Sequence, residues 1–206
     1  STGKSSSYYD GIEKGDYEII KAALTYYDST IDYSKYDSDG DGYIDSIYLV
    51  YTCEINRTDD NSMWWAYTYE YFTDDVEYYD NVEADFYLLA GYDFLFETFE
   101  SGKSVKYNLE TFIHESGHLL GLDDYYDTDS SKGPNGGLGG GDMMDCNVGD
   151  HNPFSKAILG WIQPLIMGED SATITLKSFG SSGDALIIPK NWNGTYFDEY
   201  YIVDFY

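Results

Sequence analysis

The chain has 206 residues, with 38 acidic side chains against 11 basic ones and a formal net charge of −27. That length suffices for one domain with a sizeable core, organised as two lobes around a cleft or as a single compact unit. The charge excludes nucleic acid and anionic membrane surfaces as partners, because both would repel the chain, and no run of about 18 apolar residues is present to insert into a bilayer.

The opening dozen residues are polar and rich in Ser and Gly, which predicts an exposed lead-in, and Ser1 to Ser7 do not read as a signal peptide. The absence of an initial Met predicts a trimmed or processed form. From Asp16 to Tyr27 the apolar positions Tyr17, Ile19, Ile20, Ala23, Leu24 and Tyr27 recur at helical spacing, with Asp16 as the expected N-cap.

Asp37, Asp39, Asp41, Tyr43 and Asp45 then alternate over nine residues with Gly40 and Gly42 between them. Such a loop turns carboxylates inward around a hard cation, with Tyr43 offering its backbone carbonyl, as in the first part of an EF-hand. Tyr48 stands where an EF-hand has its bidentate glutamate. A calcium site that pins the loop is expected, with a solvated acidic turn as the alternative. Ile44 to Tyr51 reads as a buried strand, central over Ile47 to Val50, and Met63 to Tyr71 as another. Cys53 and Cys146 are compatible with one disulfide in an oxidising compartment or with two separate buried thiols. The 24 tyrosines are read as core and half-buried strand residues, with a glycan-contacting surface as a minor alternative.

Leu109 to Leu120 reads as a helix that turns Leu109, Phe112, Ile113, Leu119 and Leu120 toward the core. It carries His114-Glu115-Ser116-Gly117-His118. Two histidines four apart stack on one helix face and can grip a single zinc ion, while Glu115 points toward the ion's open side as general base. A catalytic zinc takes three protein ligands and keeps one position for water. Gly121 is expected to end the helix, so that Asp124 swings back as the third ligand, with Asp123 and Asp127 as its competitors. Tyr125 and Tyr126 are candidates to contact substrate or the developing oxyanion.

Ser130 to Gly141 reads as a flexible rim or a passive linker. Met144, from residue type alone, is core filler. His151 either reaches the cleft and hydrogen-bonds substrate or is an ordinary surface histidine. Pro153 to Trp161 suggests a short helix closed by Gly160, and Ala172 to Leu176, Ala185 to Ile188 and Tyr200 to Phe205 suggest short strands. The chain ends within the last of these, which predicts that the natural protein continues.

The stretch His114-Glu115-x-x-His118-x-x-Gly121-x-x-Asp124, followed by Tyr125-Tyr126-Asp127, resembles the secreted bacterial metallopeptidases related to immune inhibitor A, of the metzincin-like group. Asp37 to Asp45 upstream, Asp142-Met143-Met144-Asp145 downstream and Ser155 to Trp161 beyond carry the same resemblance. Asp123 stands where that family usually has proline, and Trp64-Trp65-Ala66-Tyr67 replaces a Trp-x-His-like segment. The resemblance implies an α+β, metzincin-like fold: a twisted mixed sheet with the active-site helix over 1–122, then a smaller lobe of short strands over 123–206. It also implies that Met144 is the methionine of a structural turn beneath the zinc histidines. In that architecture an edge strand, either Met63 to Tyr71 or Asp85 to Ala90, pairs with extended substrate.

The expected function is that of a secreted, monomeric zinc endopeptidase using Zn2+ and Ca2+ and acting on extracellular proteins or glycoproteins. The alternatives are a secreted binding or adhesion module with a structural metal, and a zinc amidase that does not cut peptides.

Overall fold

The computed structural model describes residues 3–54, 62–98, 105–127, 129, 131–132, 137–168 and 171–206. The chain is a mixed α/β protein of short strands and few helices, and it divides into two compact units, Ser1–Gly121 and Leu122–Tyr206. Among the described residues no helix is long and apolar enough to cross a membrane.

The first unit opens with α1 (Ser6–Asp10), capped by the Ser5 hydroxyl, and α2 (Gly15–Tyr27). The expected lead-in is therefore partly helical, and Tyr9 is buried. Asp16 is not the N-cap of α2. That position is held by Lys14 in a left-handed conformation. Gly15 follows because a Cβ there would stand 2.0 Å from the Tyr9 carbonyl oxygen. Asp16 instead turns its carboxylate onto the sheet, where one oxygen accepts the Tyr67 hydroxyl at 2.8 Å and also the Tyr87 hydroxyl.

The sheet has the order β1-β3-β2, from β1 (Ile47–Tyr51), β2 (Tyr67–Glu70) and β3 (Phe86–Gly91). β1 runs parallel to β3 and β2 antiparallel to it. The strand expected at the centre, Ile47 to Val50, lies at an edge, because its alternate residues are half-exposed while Tyr87, Leu88, Leu89 and Ala90 of β3 are fully buried. Of Met63 to Tyr71 only Tyr67–Glu70 is strand, and this segment is an edge where 85–90 is not.

Each face of β3 has its own cover. Ile20 and Leu24 of α2 join Tyr87 and Leu89 in one apolar cluster with Tyr33, Ile44, Tyr51 and Trp64. On the opposite face Leu88, Ala90 and Ala66 receive Phe112 and Leu119 of α3 (Glu110–Leu119), which follows the β4 (Phe96–Thr98) and β5 (Val105–Tyr107) hairpin. The expected core face of this helix is thus narrower than its apolar composition, since Leu109, Ile113 and Leu120 are exposed. Ala90 of β3 and Ala66, just before β2, face the two large helix side chains that pack there, Phe112 and Leu119.

The second unit holds α4 (Met143–Cys146), α5 (Pro153–Ile158), β6 (Leu165–Ile166), α6 (Phe179–Ser182), β7 (Ala185–Pro189) and β8 (Tyr200–Asp204). β7 lies between a parallel β6 and an antiparallel β8. Ala172 to Leu176, expected as a strand, carries no strand pairing; Leu165–Ile166 takes the place beside β7. Asn152 caps α5 through the Ser155 N–H, and Pro153 occupies the first turn, where its missing N–H costs nothing.

Burial raises the hydroxyl pKa of Tyr67 and Tyr87 above the usual tyrosine range, reinforced in both by the Asp16 carboxylate, and pushes Tyr71 up to about 12. An acid whose folded pKa exceeds its unfolded value of about 10 stabilises the fold fully below that pH and loses the contribution as pH rises through the folded value. Thermal melts between pH 7 and 11 are expected to keep a constant midpoint up to about pH 10 and then fall, in step with tyrosinate absorbance.

Candidate metal centre

The α3 helix is started by the Asn108 side chain, which accepts the Glu110 N–H at 2.9 Å, and it ends at Gly121, whose φ of +88° is open to glycine and strained for other residues. Leu120 and Gly121 donate to carbonyls of the last turn, and the chain then reverses. His114 and Glu115 are buried, at 6% and 7% exposure, and His118 is half-buried. The two imidazole rings stand 4.9 Å apart, nearly perpendicular.

Ligand atoms of His114, His118 and Asp124 all lie within 4.8 Å of one another. Donors about 2.0–2.1 Å from one tetrahedral ion are about 3.3 Å apart, so adjustments on the order of 1 Å seat an ion among them. Two imidazoles and a carboxylate form a donor set suited to zinc. Asp123 and Asp127 are exposed and do not belong to this group.

The acidic loop gathers only part of the expected ligand set. Carboxylate oxygens of Asp37, Asp39 and Asp45 lie within 4.8 Å of one another, a spacing that a cation with 2.3–2.6 Å oxygen bonds can bridge. Asp41 is outside this group and accepts the Tyr43 N–H at 2.9 Å, while Tyr43 forms a parallel bridge with Glu83. Tyr48 is carried away on β1, where its hydroxyl donates to the Ser116 hydroxyl at 2.9 Å.

In the second unit Met144 is fully buried in the short α4 helix, and its carbonyl accepts the Tyr125 N–H at 2.8 Å. The flanking aspartates, to which residue type alone assigned no role, hold this segment. Asp142 accepts the N–H of Met144 at 2.7 Å and of Asn152 at 2.8 Å, and Asp145 accepts those of Leu138 at 3.0 Å and Gly140 at 2.7 Å. An aspartate directly before a short apolar pair is an N-cap signal, which was legible for Asp142; the partners of Asp145 were not. Residues 130 and 133–136 of the expected rim lie outside the described residues.

His151 is buried at 4% exposure beside the Trp161 ring, which overturns its reading as a surface histidine. Tyr125 shares a 2.9 Å hydrogen bond with the Ser155 hydroxyl, and burial raises its pKa, whereas Tyr126 is exposed. Cys53 and Cys146 form no disulfide, and Cys146 is exposed, so neither expected arrangement of the two thiols holds.

Asp142→Ala strips the buried Met144 N–H and the part-buried Asn152 N–H of their acceptor. Urea denaturation is expected to register a loss of about 2–3 kcal/mol, against a change within about 0.5 kcal/mol for the exposed Asp74→Ala.

No protein-family model matches the chain, and no curated protein matches it.

Proposed function

We propose that this chain is a secreted zinc-dependent endopeptidase that hydrolyses peptide bonds of extracellular proteins or glycoproteins, with a metzincin-like fold resembling the immune inhibitor A family. The observation that carries the reading is the close grouping of His114, His118 and Asp124, with Glu115 beside the first of them. A closed structural zinc site uses four protein ligands, and among the described residues this group has three, which leaves room for water.

Zinc bound there supplies Lewis acidity toward the scissile carbonyl and a water of lowered pKa. The chain's own groups do the rest. Glu115 accepts a proton as the water oxygen attacks the carbonyl carbon, then delivers that proton to the amine nitrogen as the carbon–nitrogen bond breaks. Glu115 is 7% exposed and stands next to His114 on α3, beside the residues that would hold the ion. The β2 strand, an edge of its sheet, is the candidate to pair with an extended substrate through backbone hydrogen bonds. Asp37, Asp39 and Asp45 would hold calcium, whose role is to brace the loop before β1.

Casein or a mucin-type glycoprotein is expected to be cut by the zinc-loaded protein and left intact once a chelator removes the metal. Glu115→Ala should fold, retain zinc and lose about a hundred- to ten-thousandfold in turnover, and wild-type proteolysis by this variant would remove its role as base. Calcium is expected to raise thermal stability by about 2.7 kcal/mol at a hundredfold excess over its Kd, and Asp39→Asn to abolish that response.

A further inference from the structure

The α3 face of the sheet carries a cross-strand row that the zinc motif does not include. Tyr48 of β1 and Thr68 of β2 both pair with Leu88 of β3, so the three side chains stand abreast on the face that packs against α3. Leu88 is fully buried beneath the helix, and the outer two end in hydroxyls that reach it. Thr68 donates to the backbone carbonyl of Glu115 at 2.8 Å. Tyr48 donates to the Ser116 hydroxyl at 2.9 Å, and that hydroxyl donates in turn to the Phe112 carbonyl at 2.6 Å. The attachments fall on consecutive residues inside the motif and come from strands on opposite sides of β3.

Leu88, Phe112 and Leu119 hold the helix against the sheet, but apolar contact is non-directional and leaves rotation about the helix axis weakly specified. Neighbouring strands lie about 4.8 Å apart, so Tyr48 and Thr68 straddle a helix about 10 Å wide. Two directional bonds on opposite flanks oppose rolling in either sense. A roll of about 10° would displace ring atoms about 7 Å from the axis by about 1 Å, beyond the roughly 0.5 Å tolerance of a functional site.

We infer that Thr68 and Tyr48 are positioning residues that set the roll of α3 and thereby the metal-binding geometry of His114 and His118. The inference rests on the zinc reading of this site and on no particular substrate. Thr68 acts through a backbone carbonyl, so any side chain lacking a hydroxyl breaks the link while serine keeps it.

The test compares zinc affinity, measured on the full chain by competition with a chelating dye, for the wild type, Thr68→Val, Tyr48→Phe, the double variant and Thr68→Ser. The double variant is expected to bind zinc about 10- to 100-fold more weakly, each single variant several-fold, with Thr68→Ser close to wild type and the metal-free melting midpoints unchanged. Wild-type affinity in the double variant would overturn the inference. So would a loss that tracks a lowered metal-free midpoint and is not restored by serine, because that pattern marks general destabilisation. A wild type that binds zinc yet cuts no peptide removes the peptidase reading alone, with the affinity ratios still deciding the positioning role. A wild type that binds no zinc overturns both.

Discussion

The first unit depends on the removal of one short strand from water on both of its faces. Tyr87, Leu88, Leu89 and Ala90 of β3 have no exposed surface, and a strand buried on both sides needs a cover on each. One face takes α2 and its surrounding tyrosines, and the other takes α3. The height of α3 above the sheet follows from Ala66 and Ala90, whose small side chains admit Phe112 and Leu119. The placement of His114, Glu115 and His118 is therefore a consequence of how β3 is covered.

Polar groups add the direction that apolar packing lacks. Asp16 joins the hydroxyls of Tyr67 and Tyr87 on one face, and Thr68 and Tyr48 engage the Glu115–Ser116 segment on the other. Tyrosine suits both tasks, since its ring fills the core while its hydroxyl finds an acceptor. This use accounts for part of the chain's tyrosine richness without invoking a ligand. The excess of acid also has local uses. Asp142 and Asp145 gather backbone N–H groups around Met144, and Asp37 gathers those of Gly40, Asp41 and Gly42. In each case a carboxylate takes over bonds that irregular backbone cannot form with itself.

Local patterns in the sequence were sufficient for α2, the core of α3, its termination at Gly121, the Pro153 helix and the last two strands. Helical periodicity, a glycine free to adopt positive φ and a proline in a first turn act over a few residues, and those residues are adjacent in the chain. The spacing from His114 to Asp124 belongs to the same class, being one helical face followed by one reversal. The closeness of His114, His118 and Asp124 was legible in the sequence for that reason.

Other features required the tertiary structure, because they depend on partners far along the chain. Ile47 to Val50 reads as a central strand, yet only the pairing of β3 with both neighbours decides which strand is enclosed. Asp16 resembles an N-cap until the sheet tyrosines offer it stronger donors. His151 has no local signal for burial, and the apolar stripe of α3 is wider in composition than the two alanines beneath it allow. By itself the sequence determined the candidate chemistry and the local grouping of the side chains that would carry it. The strand order, the buried face of each helix and the row holding Glu115 in place were decided by packing, since a side chain's cover is supplied by residues that periodicity cannot see.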